Sequence, residues 1–264
     1  MSFLTVDHLT IRYAGAPAPA VNEVSFAVEP GEVFALVGES GSGKSSLALA
    51  LTRLLPQAAA VTGQVVFEGA DLLRCSADHL RQVRGGRIAY VFQDPASSLN
   101  PVLTIGEQLV EVMTLHDSLT RAAAWSQAGD WLERVQIPSA RPRLRSYPHE
   151  LSGGMQQRVM LAMAMAARPA MVVADEPTTA LDVVVQVQIL RLLRELQQQL
   201  QLAVLLISHD LLVVQRLAGR VGVLTDGQLV ELGLTDTILR HPTHPATRRL
   251  LRARPLEPLQ GRHG

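Results

Sequence analysis

The run Gly38-Glu39-Ser40-Gly41-Ser42-Gly43-Lys44-Ser45 has residue types and a spacing that specify phosphate chemistry. Its glycines let the backbone curl so that successive N–H groups point inward and cradle phosphate oxygens at the start of a helix. Lys44 reaches the β- and γ-phosphates of a nucleotide, and Ser45, followed by Ser46, offers a hydroxyl to Mg2+. The flanks agree, because an apolar run from Val33 to Val37 precedes the loop and a helix-like run from Ser46 to Leu55 follows it. Lys44 is also the only lysine among 24 basic residues. A composition averse to lysine keeps one where a compact ammonium on a flexible stem is wanted and a planar guanidinium would not fit.

Acidic and imidazole groups recur at the ends of other apolar runs. Met171 to Ala174 ends in Asp175-Glu176-Pro177, and Leu202 to Ser208 ends in His209-Asp210. Carboxylates at the C-terminal end of a parallel strand are placed for metal and water chemistry. Ser152, beside Gly153 and Gly154, stands where a helix N-cap belongs, and that N-terminus could also meet an anion. Tyr13 precedes a Pro/Ala loop, where it either stacks on an adenine ring or serves as an ordinary strand aromatic.

These groups need a scaffold, and the chain is long enough for one large domain with an inserted segment. A hydrophobic fraction of 47% supplies its core. With a formal net charge of zero and 18% charged residues, there is no basic field for nucleic acid. Cys75 alone excludes an intrachain disulfide and fits a reducing compartment. The N-terminus lacks an export signal pattern, and no apolar window is long enough to span a membrane, so the chain is expected neither to be exported nor to cross a bilayer.

In order, a strand carrying Thr5, Val6, Leu9, Ile11 and Tyr13 should pair antiparallel with Val24 to Val28. The helix after the phosphate loop is expected to stop at Pro56, Gln64 to Glu68 to be extended, and Arg87 to Phe92 to form a strand ending at Gln93-Asp94-Pro95. Thr104-Ile105-Gly106-Glu107 reads as a capping box opening a helix through Leu115, and Leu119 to Ile137 has helical spacing. A helix after Ser152 should run to Arg168-Pro169. Val185, Ile189, Leu192, Leu193, Leu196 and Leu200 form the apolar stripe of a further helix whose wet face carries Gln197, Gln198 and Gln199. Asp226-Gly227 between Val221 to Leu224 and Leu229 to Leu232 is a hairpin signal. Beyond Arg240 the sequence is rich in Pro and Arg with little periodicity.

A phosphate loop with an acidic strand end defines a broad class of NTPases. Guanine-specific members use an N-K-x-D element, which a chain whose only lysine is Lys44 cannot contain. The run Leu151-Ser152-Gly153-Gly154-Met155-Gln156-Gln157 resembles the signature of the ATP-binding cassette (ABC) family. The resemblance spans nearly the whole chain in order: Tyr13 as adenine-stacking aromatic, Gly38 to Ser45, Gln93 as Q-loop, the signature, Met171 to Glu176 as Walker B, Ala180-Leu181-Asp182 as D-loop and His209 as switch histidine. It implies an α/β fold, a P-loop NTPase cassette with a RecA-like core, an antiparallel β subdomain and an inserted α-helical signature subdomain. The core would be 1–94 and 168–240, the helical subdomain 95–167 and the C-terminal tail 241–264.

The resemblance also assigns roles. ATP would be held by Tyr13 and by Gly38, Glu39, Ser40, Gly41, Ser42, Gly43, Lys44, Ser45 and Ser46, and Mg2+ by Ser45, Asp175 and Gln93, directly or through water. Glu176 would be the general base, the alternative being a simple supporting carboxylate. His209 would contact the γ-phosphate unless it is simply a core histidine. Leu151, Ser152, Gly153, Gly154 and Gln156 would meet an ATP held by a second cassette in a head-to-tail dimer, with Asp182 in the D-loop between them.

Within the family, Val91 to Pro101, Tyr147-Pro148-His149-Glu150 and Ala174 to Asp182 are similar to the oligopeptide/dipeptide/nickel importer branch, as is His241-Pro242-Thr243-His244-Pro245-Ala246-Thr247. That branch implies two permease subunits, an extracytoplasmic solute-binding protein and a peripheral location on the cytoplasmic face of the inner membrane, with no nucleic-acid partner. With one cysteine, no iron–sulfur cluster is expected, and the length leans toward nickel or metal chelates. His241 and His244 lack a third metal ligand nearby, and arginines 248, 249, 252 and 254 read as a solvated or docking face. The other readings are a soluble ABC ATPase acting on nucleic acid or ribosomes, and an exporter ATPase.

Overall fold

The computed structural model describes residues 3–116, 119–179 and 181–253, so Ala180 and Arg254 lie outside the described residues. Strands β1 (Leu4–Tyr13) and β2 (Val21–Val28) pair antiparallel, as their alternation requires. In β1 the buried positions Leu4 and Val6 continue as Leu9 and Ile11 rather than 8 and 10, because His8, with φ of 46°, sits at an irregularity that shifts the register. Strand β3 (Val33–Val37) has four buried residues in succession and leads into the phosphate-loop stretch.

Helix α1 (Lys44–Ala50) ends before the expected Leu55. Arg53 turns left-handed with φ of 54°, its N–H donates to the Ala50 carbonyl at 3.1 Å, and the Leu54 N–H donates to the Leu49 carbonyl at 2.8 Å. This pair of reverse bonds satisfies the last carbonyls, so Pro56 follows a helix already closed.

Strands β4 (Ala59–Phe67) and β5 (Ala70–Asp71) are joined by a turn, and α2 (Ala77–Val83) is capped by Ser76 Oγ, which accepts the His79 N–H at 3.2 Å. After β6 (Ile88–Val91) comes α3 (Pro95–Ser98), capped by Asp94. Helix α4 (Ile105–His116) opens on the expected box, Thr104 N–H donating to Glu107 Oε2 at 2.8 Å and Glu107 N–H to Thr104 Oγ1 at 3.3 Å. The hydroxyl and amide of Thr104 hold the Glu107 carboxyl below its usual range.

The remaining elements are α5 (Arg121–Arg134), α6 (Ala140–Arg143), α7 (Gly153–Ala166), β7 (Met171–Asp175), α8 (Val183–Leu200), β8 (Ala203–Ser208), α9 (Leu211–Leu217), β9 (Arg220–Thr225), β10 (Gln228–Leu234), α10 (Thr235–Arg240) and α11 (Pro245–Ala253). On α8 the stripe of Ile189, Leu192, Leu193 and Leu196 is buried as expected, but so is Gln197. Its Nε2 donates to the Leu202 carbonyl at 3.0 Å, which replaces water as its partner and takes it off the wet face.

The chain divides into two compact units, residues 1–73 with 205–264 and residues 74–204. In the first, β2, β1, β4 and β5 form an antiparallel sheet in that order. There β9 runs parallel to β3 and antiparallel to β10, with Asp226 (φ 48°) and Gly227 (φ 76°) making the expected tight turn. The same unit contains α11, in a stretch whose sequence shows little periodicity. Glu231 of β10 accepts from Thr243 N (2.8 Å), Thr243 Oγ1 (2.9 Å), His244 N (3.1 Å) and Thr247 Oγ1 (2.5 Å). Burial alone would raise the Glu231 carboxyl, but these bonds hold it below its usual range.

In the second unit β6 and β7 pair in parallel, Ile88 against Met171 through Val91 against Ala174. Its helices α4, α5 and α7 bury Ile105, Leu109, Met113, Ala124, Ala128, Leu132, Val159 and Leu161. Among the described residues no helix is long and apolar enough to cross a membrane.

Candidate nucleotide site

In the first unit the loop from Gly38 to Ser45 is shaped by its neighbours. Gly43 has φ of 102°, and a Cβ there would lie 2.2 Å from the Ala20 carbonyl oxygen, so only glycine fits. A Cβ on Gly38 would lie 2.1 Å from the Leu224 oxygen. Ser42 is buried and its carbonyl accepts the Gly227 N–H at 3.2 Å. The loop is thus pressed between β2 and the β9–β10 turn.

Lys44 is 6% exposed, and its Nζ donates to the carbonyls of Gly38 (2.9 Å) and Glu39 (2.8 Å) and to Ser42 Oγ (3.3 Å). A buried ammonium needs such acceptors, and phosphate oxygens are stronger ones of the same kind. Ser45, Glu39, Ser40 and Gly41 are exposed on the rim, while Ser46 is half-buried. Ser46 Oγ lies 2.9 Å from the Tyr13 hydroxyl, which ties Tyr13 to α1 beside the loop. His209 is half-buried at the end of β8, just ahead of Asp210, whose Oδ1 caps α9 by accepting the Leu212 N–H at 2.9 Å.

In the second unit Asp175 ends β7, and both it and Glu176 are half-buried. Glu176 has φ of 48°, a left-handed conformation costly for a residue with a side chain and the kind of strain found at functional positions. Its Oε2 accepts from Thr179 Oγ1 at 2.9 Å. Sequence reasoning did not single out Thr179, and no local pattern announces it. Asp182 is exposed and caps α8, its Oδ1 accepting the Val185 N–H at 2.9 Å. Gln93 is exposed beyond β6.

The signature residues separate into two groups. Ser152 and Gly153 are exposed at the start of α7, where Ser152 Oγ accepts the Met155 N–H at 3.4 Å. Leu151 is buried, and Gln156 Nε2 donates to the carbonyls of Pro148 (2.8 Å) and Leu151 (3.3 Å). Leu151 and Gln156 therefore hold the preceding segment in place rather than face outward. His244, weighed with His241 for metal, has its Nδ1 engaged by the Ala246 N–H at 3.2 Å.

A glycine loop closed on a buried lysine between a parallel strand and a helix defines a P-loop nucleotide-binding protein. Residues 21–179 match the ABC transporter family, and the chain belongs to that family. It is 48% identical over 258 residues to an uncharacterized ABC transporter ATP-binding protein, YejF, of Escherichia coli K12, covering 96% of this chain and 49% of that protein. The chain therefore spans about half the length of that curated relative. It is 44% identical over 256 residues to the oligopeptide transport ATP-binding protein OppD of Bacillus subtilis, covering 96% of this chain and 72% of that one. Among solved structures, a dimer of the ATP-binding cassette MJ0796 in a post-hydrolysis state bound to ADP and Pi aligns with a TM-score of 0.77 at 26% identity, covering 88% of this chain and 98% of that one.

Proposed function

We propose that this chain is the ATP-hydrolysing subunit of an ABC importer, driving uptake of peptides through partner permeases. The observation that carries it is Lys44, buried and already folded onto the loop's own carbonyls in a cradle that side chains at residues 38 and 43 would fill. Binding ATP exchanges those carbonyls for phosphate oxygens, and the loop N–H groups take up the remaining charge. Ser45, Asp175 and Gln93 offer a hydroxyl, a carboxylate and an amide oxygen, the hard donors that Mg2+ takes. Bound there, Mg2+ would neutralise charge on the β- and γ-phosphates.

Glu176 accepts a proton from the water that attacks the γ-phosphorus, and ADP and phosphate leave. Thr179 orients its carboxylate. His209 donates to the γ-phosphate, and Tyr13 supports the adenine end. Ser152, Gly153 and Gly154 meet the nucleotide held by a second cassette in a head-to-tail dimer, with Leu151 and Gln156 holding them in place and Asp182 lying in the D-loop. We assign the nucleotide core to 1–94 and 168–240 and the signature subdomain to 95–167.

The relative named for oligopeptide transport supports peptides over nickel or metal chelates, an expectation that rested on chain length alone. The partners we assign are a second cassette, two permeases and an extracytoplasmic solute-binding protein, with the chain peripheral on the cytoplasmic face of the inner membrane. Purification of the tagged chain from detergent extracts at low salt tests this. Two membrane-spanning proteins should accompany it, and a peptide-loaded binding protein should raise ATP consumption by the complex. ATP hydrolysis with no membrane partner would point to a soluble ATPase instead.

A further inference from the structure

Helices α7 and α8 begin at the signature and at the D-loop, and Arg158 and Gln188 stand the same number of residues beyond their caps, Ser152 and Asp182. Arg158 Nη2 donates to Gln188 Oε1 at 3.0 Å, and Nη1 donates to the Val135 carbonyl at 3.0 Å and to Gln136 Oε1 at 3.2 Å. Val135 is the C-cap of α5, so the guanidinium rests on the negative end of that helix. Its acceptors are all neutral dipoles, which fix direction without the scatter of an exposed ion pair. Nearer the caps, a Cβ on Gly154 would lie 2.8 Å from Val185 Cγ1, so α7 and α8 touch there closely enough that a side chain would have to displace Val185.

From α8 the contacts continue to the residues after β7. Gln186 Nε2 donates to Thr178 Oγ1 at 3.1 Å, and the next residue, Thr179, donates to Glu176. The signature and the catalytic carboxylate of one chain are therefore joined through a single helix, gripped at Gly154–Val185 and Arg158–Gln188 and released to Glu176 through Gln186, Thr178 and Thr179.

We propose that Arg158 and Gln188 are positioning residues that link the two ATP sites of the dimer: seating of this chain's Ser152 and Gly153 on the second copy's ATP shifts α8 and, through it, Glu176 at this chain's own ATP. This rests on the reading of Ser152 and Glu176 given under Proposed function. A physical link becomes a functional one only when coupling is measured.

The test uses the full chain with Gln188→Leu, because Gln188 is exposed and its substitution leaves the core untouched. ATP turnover at saturation should fall about tenfold, the loss expected when a bond to a charged group is removed. The Hill coefficient for ATP should drop toward one, while ATP affinity measured without hydrolysis stays as in the parent. Gln188→Glu, which keeps an acceptor for Arg158, should restore both, and Arg158→Ala with Gln188→Leu should be no worse than Arg158→Ala alone. A Gln188→Leu protein with parental turnover and cooperativity would overturn the link, as would a loss that Gln188→Glu fails to restore. Ser152→Phe separates the premise from the inference: if it hydrolyses ATP normally, the signature reading fails, whereas an inactive Ser152→Phe beside a normal Gln188→Leu removes the link alone.

Discussion

The start of α1 and the start of α7 are both glycine-flanked helix N-termini, and they solve opposite problems. At α1 the N-cap is Gly43, which offers no side-chain bond, and the loop is held from behind by Ala20, Leu224 and Gly227. At α7 the Ser152 hydroxyl takes the Met155 N–H, and Ser152 and Gly153 stand at the surface. The first has its shape fixed by the surrounding backbone. The second is capped by its own side chain and presented outward, which agrees with the half-site proposed for it. On the proposed function, the preformed cradle would bind by itself and the surface turn only once a second copy is docked.

The largest expected effect separates binding from chemistry. Glu176→Gln should lower phosphate release by about 10^2- to 10^4-fold while ATP still binds and dimers accumulate, because only proton transfer is lost. Unchanged turnover would remove Glu176 as the base. Next, Lys44→Arg should weaken ATP binding to the isolated chain by about tenfold or more, since a planar fork cannot occupy the pocket of a compact ammonium. Parental affinity in a nucleotide titration would break the picture of a cradle built around that residue.

Two alanine substitutions then compare the glycines directly. Gly43→Ala puts a methyl into a backbone carbonyl at positive φ and should cost about 1–3 kcal/mol in thermal or denaturant unfolding. Gly154→Ala meets only a Val185 methyl, which can rotate, and should cost less while still reducing turnover. Smallest is Ser152→Ala, which removes a long cap bond and should cost about 0.5–1 kcal/mol. An equal cost for the two glycines would mean that the two N-termini are built alike.

What was legible in the sequence is what neighbouring residues decide together. The Thr104–Glu107 box, the Asp226-Gly227 turn and the Ser152 cap are each written within a few positions, and each forms as read. The rest depends on partners remote in sequence. Gln197 looked solvent-facing until the Leu202 carbonyl supplied its bond. Helix α11 was hidden because Thr247, 1% exposed, fills an inward position with a hydroxyl that a hydrophobic count ignores, and its acceptor Glu231 belongs to β10. Arg53 closes α1 in a left-handed conformation that an arginine does not advertise. In the candidate site Lys44, Asp175, Glu176 and His209 could be named from the sequence as candidates, but the contacts of Thr179 with Glu176 and of Arg158 with Gln188 could not.

The brace behind the phosphate loop bears on how the protein is made. The Leu224 oxygen lies against Gly38 and the Gly227 N–H meets the Ser42 carbonyl, so the loop's back wall comes from a hairpin near the other end of the described chain. During synthesis the residues of the loop leave the ribosome before those of the hairpin, and they wait for it before their wall exists. A chain cut off before the hairpin would carry the whole glycine sequence without the wall that shapes it.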